Sequence, residues 1–143
     1  MNPELEEGKQ LQLDFKKLTT MTDQVVPVVV QHADTQEVLI LAYANAEALD
    51  YSLKHRKAAF WSTSRHELWV KGATSGDTLD IVEIRVNCEQ NSLLYQVRPT
   101  KGVCHTQDES GNTRKTCFYR RLDGQKTLRL AMLEKCPKGP FLG

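Results

Sequence analysis

The chain has 143 residues, 40% of them hydrophobic and 26% charged, a length and balance that suit one soluble domain able to bury a core without disulfide help. A formal net charge of +1 excludes the broad basic field that would point to nucleic acid or to an anionic membrane. No apolar run approaches the ~20 residues of a membrane-spanning helix, and the acidic, polar stretch from Met1 to Gln10 lacks the basic-then-apolar layout of a signal peptide, so a cytoplasmic protein is expected.

In chain order, residues 1–10 are expected as a loose arm and residues 137–143 as a loose tail, flanking a single domain that spans 1–143. Val25 to Val30 is a β-branched run that predicts a strand. Pro27 inside it has no N–H for a ladder, which predicts an edge or an irregular strand. Asp34-Thr35-Gln36 reads as a turn into a second apolar run, Val38 to Tyr43. Asn45 offers a helix N-cap with Glu47 in the first turn. Ala48, Leu49, Ser52 and Leu53 follow at helical spacing and predict a helix over 46–55. From Ala58 onward the segments are short and β-favouring: Ala58 to Thr63, Glu67 to Lys71, Leu79 to Val86 and Ser92 to Arg98. Leu122-Asp123-Gly124-Gln125 predicts a tight hairpin turn between Thr116–Arg121 and Lys126–Leu130. One helix among many short strands implies an α+β domain that is mainly β. Such strands cover their edges by closing on themselves, barrel-like, or by dimerising.

The cysteines carry the strongest chemical signal. In a reducing compartment they read as metal ligands or free thiols rather than as a disulfide framework, and Cys136, beside Pro137, is the spare. Cys88 lies among amides and a carboxylate in Asn87-Cys88-Glu89-Gln90-Asn91. Cys104 follows a Lys101-Gly102 turn and precedes His105, and Cys117 lies downstream. Free cysteines are often small core hydrophobes, but thiols in polar loops are typical of zinc sites. Three thiolates leave a fourth position open, as a catalytic zinc requires. No Cys-x-x-Cys pair is present, which argues against a zinc ribbon or finger, and the signature of the zinc nucleobase deaminases is absent as well.

Two other sets can bind ligands. Ser62, Ser64, Arg65, Lys71, Ser75 and Gly76 lie within 15 residues of Trp61. They offer a guanidinium fork, a point charge, hydroxyls and exposed backbone N–H groups for a phosphate. The competing reading is a polar strand-turn-strand with Trp61 and Trp69 in the core. Asn87, Glu89 and Asn91 alternate along the chain, so in an extended segment their oxygens face one side. They suit either a hard cation such as Mg²⁺ or a polar turn before the next strand.

Several of these motifs occur in a fixed order. Glu37-Val38-Leu39-Ile40-Leu41-Ala42-Tyr43, Ala44-Asn45 and Glu47-Ala48-Leu49 come first. They are followed by Trp61-Ser62-Thr63-Ser64-Arg65, Leu68-Trp69 with Lys71-Gly72, Ser75-Gly76, Cys104-His105-Thr106 and Cys117-Phe118-Tyr119-Arg120. From about Val25 to Arg129 the chain resembles the phosphoribosyl-AMP cyclohydrolases of histidine biosynthesis. The resemblance implies a stand-alone zinc hydrolase that opens the adenine ring of phosphoribosyl-AMP between N1 and C6. It implies that Cys88, Cys104 and Cys117 bind zinc from two subunits of a homodimer with shared active sites, that His105 moves protons, and that Ser62, Ser64, Arg65, Lys71, Ser75 and Gly76 hold the substrate.

The chain departs from that pattern in three places. Where the family has Asp-Cys-Asp-x-Asp, associated with Mg²⁺, this sequence has Asn87, Glu89 and Asn91, which removes two formal charges. The stretch between the last two zinc-type cysteines, Gln107 to Thr116, is longer than usual, which a surface loop absorbs at little entropic cost. Leu79 stands where Gln is common. Two rival readings are a related zinc hydrolase acting on another purine-like ring and a non-catalytic zinc-binding homologue. The presence of His105 with Arg65 and Lys71 weighs against the second, because storage needs only the thiolates.

Overall fold

The structure is a computed structural model and describes residues 3–131. Cys136 and the expected tail from Pro137 lie outside the described residues. In chain order the elements are α1 (Pro3–Glu7), α2 (Lys17–Thr20), β1 (Val26–His32), β2 (Val38–Ala44), α3 (Ala46–His55), β3 (Ala59–Ser62), β4 (Glu67–Val70), β5 (Leu79–Val86), β6 (Leu93–Pro99), β7 (Arg120–Leu122) and β8 (Leu128–Leu130). The chain gathers into two units. The larger runs from Met21 to Cys117, and the smaller joins residues up to Thr20 with those from Phe118 on.

The larger unit is built on a four-stranded sheet in the order β2-β1-β6-β5, with β3 and β4 as a separate hairpin. β1 pairs antiparallel with β2 and parallel with β6, so of the two alternatives that Pro27 predicted it is not the edge strand but a central one with an irregularity, a register shift against β2 between Val30 and Gln31. Pairing with β6 begins only at Val28, one residue after Pro27, so the proline occupies the part of β1 that is paired on one side alone. Val28 and Val30 point inward and pack with Leu39, Phe60, Leu79, Tyr95 and Val97 in the core. The Phe60 and Tyr95 rings stack with centroids 5.6 Å apart.

The helix α3 has the predicted bounds because its ends are specified locally. Asn45 Oδ1 accepts a 2.9 Å hydrogen bond from Ala48 N, and Arg56 closes the far end in the left-handed conformation. Ser52, inside the helix, receives Ala59 N at 2.9 Å and donates to Ala48 O at 3.0 Å, which fastens the helix to β3.

The sheets are open among the described residues, which corrects the expectation of a closed, barrel-like arrangement. Loop segments cover part of each edge instead. Arg56 and Ala58 bond to the start of β5, through Ile81 N to Arg56 O and Ala58 N to Leu79 O, both at 2.9 Å. On the other edge, Cys117 N donates to Leu39 O at 2.8 Å, and the Thr116 hydroxyl donates to Val38 O at 2.9 Å. Thr116 and Cys117 therefore end the larger unit as an edge cover rather than starting the hairpin strand predicted from Thr116.

In the smaller unit β7 and β8 pair antiparallel. The predicted two-residue Asp-Gly turn is instead a loop over 123–127 organised by Asp123. Its carboxylate accepts from Gln125 N and Thr127 N at 2.9 Å and from Arg129 Nε at 3.0 Å, so the Asp side chain does the closing. These donors, with Thr127 N first, hold the Asp123 carboxyl below its ordinary range. The expected loose arm is pinned to this hairpin. Leu128 N donates to Lys9 O at 2.8 Å, Arg120 Nη1 donates to Gly8 O at 2.9 Å, and the Tyr119 hydroxyl donates to Glu6 O.

Candidate active site

The larger unit holds a cavity of about 540 Å³ whose lining includes Arg65, Trp69, Lys71, Ser75, His105 and Cys117. Ile40 and Val103 supply an apolar wall. A second hollow of the larger unit, about 490 Å³ and beside Gln90 and Ser92, has no ionisable side chain in its lining.

Lys71 follows β4 directly, where its backbone N–H bonds to Ala58 O at 3.1 Å. Its side chain is buried, and Nζ donates to Asp77 O at 3.1 Å. Burial pushes the ammonium pKa down, while the charges of Asp77, Cys117 and Cys104 pull it back up, so the cation lies within electrostatic reach of both sulfurs. The next residue makes the geometry possible. Gly72 has φ +81°, and a Cβ there would lie 2.3 Å from the Asp77 backbone. Gly76 also has a positive φ but faces open space.

Cys104 is held from behind. Its own N–H and that of Val103 both donate to Arg114 O, at 3.0 and 2.9 Å. The sulfur is buried, 3.0 Å from Thr106 Oγ1 and in hydrogen-bond contact with Cys117. The Cys117 contact is the largest influence on its acidity. It combines with the Thr106 hydroxyl and backbone and the His105 charge, against the opposing effect of burial, to lower the Cys104 thiol to about 5. Cys117 itself is exposed and is placed by its bond to Leu39 on the β2 edge. Cys104 and Cys117 thus form a hydrogen-bonded pair of sulfurs at the cavity, with Cys104 its thiolate-prone member, a donor set that suits zinc but supplies only part of its coordination shell.

Cys88 is not part of this pair. It is exposed in the loop between β5 and β6, and among the described residues no three His, Cys, Asp or Glu side chains form a metal-holding group. The neighbours of Cys88 satisfy one another. Asn87 Oδ1 accepts from Asn91 N at 3.0 Å and Ser92 N at 2.9 Å, and Asn87 Nδ2 donates to Asn91 Oδ1 at 2.6 Å. Asn91 Nδ2 lies 3.5 Å from Glu89 Oε2. The segment is a turn and not the extended stretch on which the alternation reading depended: Gln90 has φ 55° and its N–H donates to Asn87 O at 3.0 Å, and the oxygens of Asn87 and Asn91 are engaged within that turn. The set does not fit Mg²⁺.

Arg65, Lys71, Ser75, His105 and Cys117 are therefore brought to one cavity, with Cys104 directly behind. Ser62, Ser64 and Gly76 are not in its lining. The Ser62 and Ser64 hydroxyls lie 3.3 Å apart in the β3–β4 turn, where Ser62 Oγ accepts from Arg65 N at 3.2 Å and so shapes the turn that carries Arg65. The aromatic residues also differ from a simple core assignment. Trp69 is 42% exposed at the cavity, and its place beside Glu67 on the alternation of β4 is the signal that marks that face. Trp61 donates its indole N–H to Asp23 Oδ2 at 3.0 Å, and Asp23 also holds His66 Nδ1 at 2.9 Å. The His66 contact, the largest influence, lowers the Asp23 carboxyl. Nothing in the residues around Asp23 marked it for this role.

The sequence model of the phosphoribosyl-AMP cyclohydrolase family matches residues 40–119, which contain the whole cavity lining. The phosphoribosyl-AMP cyclohydrolase of Archaeoglobus fulgidus is 45% identical over 117 residues, covering 82% of this chain and 96% of that protein. That of Hyphomonas neptunium is 48% identical over 100 residues, 70% of this chain and 72% of that protein. The histidine biosynthesis bifunctional protein HisIE of Thermus thermophilus is 48% identical over 105 residues, 73% of this chain and 46% of that protein.

Proposed function

The chain belongs to the phosphoribosyl-AMP cyclohydrolase family, and on that footing we propose that it hydrolyses the N1–C6 bond of the adenine ring of phosphoribosyl-AMP, in histidine biosynthesis, with zinc as its metal. The observation that carries the proposal is the convergence of Arg65, Lys71, Ser75 and His105 on the Cys104–Cys117 pair in one cavity.

In this reading Arg65 offers its fork to a substrate phosphate. Its ion pair with Glu67 is 3.8 Å long and exposed, and so gives way at little cost. Lys71, fixed on Asp77 O, holds its amino group within electrostatic reach of the two sulfurs and offers N–H donors to the anionic substrate. Trp69 presents an exposed ring to the purine. Cys104 and Cys117 are two of the zinc ligands, and the metal supplies Lewis acidity and activation of water. His105 takes the proton from the attacking water and delivers it to N1 as the ring bond breaks. Cys88, exposed and apart from the pair, supplies its thiolate to the site of a second copy, which makes the active form a homodimer. The Asn87–Asn91 turn serves to present Cys88 and needs no Mg²⁺.

Purified protein, freed of metal and reloaded, tests this directly. Phosphoribosyl-AMP should be converted to the ring-opened product with zinc present, and adding Mg²⁺ should change little. An absence of any absorbance change with zinc-loaded protein sinks the assignment, and turnover of a different purine nucleotide alone would favour the sibling hydrolase.

A further inference from the structure

The tripeptide Cys104-His105-Thr106 divides its side chains. His105 is exposed toward the cavity, whereas Cys104 and Thr106 are buried, 5% and 7% exposed. Behind them, Arg114 touches the tripeptide through backbone and side chain alike. Its N–H donates to Thr106 O at 3.0 Å, its carbonyl accepts from Cys104 N, and its Nη1 donates to Thr106 Oγ1 at 3.1 Å. A guanidinium can only donate, so Thr106 Oγ1 is the acceptor in that contact and keeps its single proton for another partner. The sulfur of Cys104, 3.0 Å away, is that partner, and a thiolate can only accept.

We propose that Thr106, oriented by the Arg114 guanidinium, is a positioning residue for Cys104: its hydroxyl donates to the sulfur and fixes the direction from which Cys104 binds its metal. The inference rests on the reading of Cys104 as a zinc ligand. Burial excludes water as a substitute donor, so loss of the hydroxyl leaves the sulfur both misdirected and poorly solvated. Partners of this kind, one shell out from the metal, typically alter metal affinity by about 10–100-fold.

The test is zinc affinity, measured by competition with a chromophoric chelator, and the thiolate-to-metal charge-transfer band of the cobalt-substituted protein. Thr106→Val keeps the shape and removes the hydroxyl, so it should bind zinc about 10–100-fold more weakly and shift the cobalt band. Thr106→Ser keeps the hydroxyl and should stay close to wild type in both readouts. Arg114→Met keeps the backbone contacts and should weaken binding by less than Thr106→Val. Should Thr106→Val fail to fold, the Ser and Met variants decide the matter by the same two readouts. Wild-type affinity with an unchanged cobalt spectrum in Thr106→Val, or equal losses in Val and Ser, overturns the role of the hydroxyl while leaving the ligand assignment standing. A wild-type protein that takes up no zinc overturns the ligand assignment and this inference with it.

Discussion

Cys104 carries more of the site than any other side chain, and its acidity has a stability consequence. Its thiol titrates near 5 in the folded chain against an ordinary value of 9.0, so between those limits the unfolded chain binds more protons and stability rises with pH. The stabilisation is complete above about pH 9 and is lost as pH falls toward 5. The thermal midpoint of metal-free protein should therefore climb across that window, and Cys104→Ser should flatten the climb; identical pH profiles for the two proteins would refute the cause named here. Gly72 is the second residue whose identity is forced. With φ +81° and a Cβ that would meet the Asp77 backbone at 2.3 Å, Gly72→Ala should destabilise by about 1–3 kcal/mol or more and shift the loop that anchors Lys71. A denaturant midpoint equal to wild type would contradict this. The spacing Lys71-Gly72 was visible in the sequence, but the reason for the glycine was not, because it lies in the return of the chain to Asp77.

At the scale of elements, legibility followed how local the determinants are. Helix α3 was readable to its ends because the Asn45 cap and the apolar spacing sit inside the segment itself. Asn45→Ala should cost about 1 kcal/mol in equilibrium unfolding, with the helix retained. β1 was readable as a strand but not as a central one, since its place depends on β6, more than sixty residues later. The Cys88 loop shows the opposite limit. Its composition left a cation site and a polar turn open, and the geometry closes the turn with the amides of Asn87 and Asn91. Isothermal titration should detect no tight Mg²⁺ binding to the native chain, whereas the double variant Asn87→Asp, Asn91→Asp should acquire it, because carboxylates replace neutral amides that bond to each other. Tight binding by the native protein would reverse this reading.

For the whole molecule, the separation of Cys88 from Cys104 and Cys117 has a functional meaning under the proposed reading. Cys88→Ser and Cys104→Ser homodimers should each be inactive, while mixing and re-equilibrating them should recover activity, since one site of the mixed dimer regains all three thiolates. Failure of the mixture, with both variants folded and dimeric, would argue against a shared site. The order of the Trp-Ser-Thr-Ser-Arg, Lys-Gly, Ser-Gly and two cysteine motifs was enough by itself to place the family, and the short β-favouring runs and the Asn45 cap with its helical spacing were enough for the mainly β character and the helix, because all of these are written in residue identity and short-range spacing. The tertiary structure alone decided which candidates meet. Arg65, Lys71, Ser75, His105 and Cys117 share a cavity, Ser62 and Ser64 only shape a turn, Thr106 and Arg114 stand behind Cys104, and the edges of the sheet are covered by loops instead of closing into a barrel. The shared cavity and the covered edges depend on contacts between residues far apart in the chain, where pairing and packing, rather than local propensity, set the free energy.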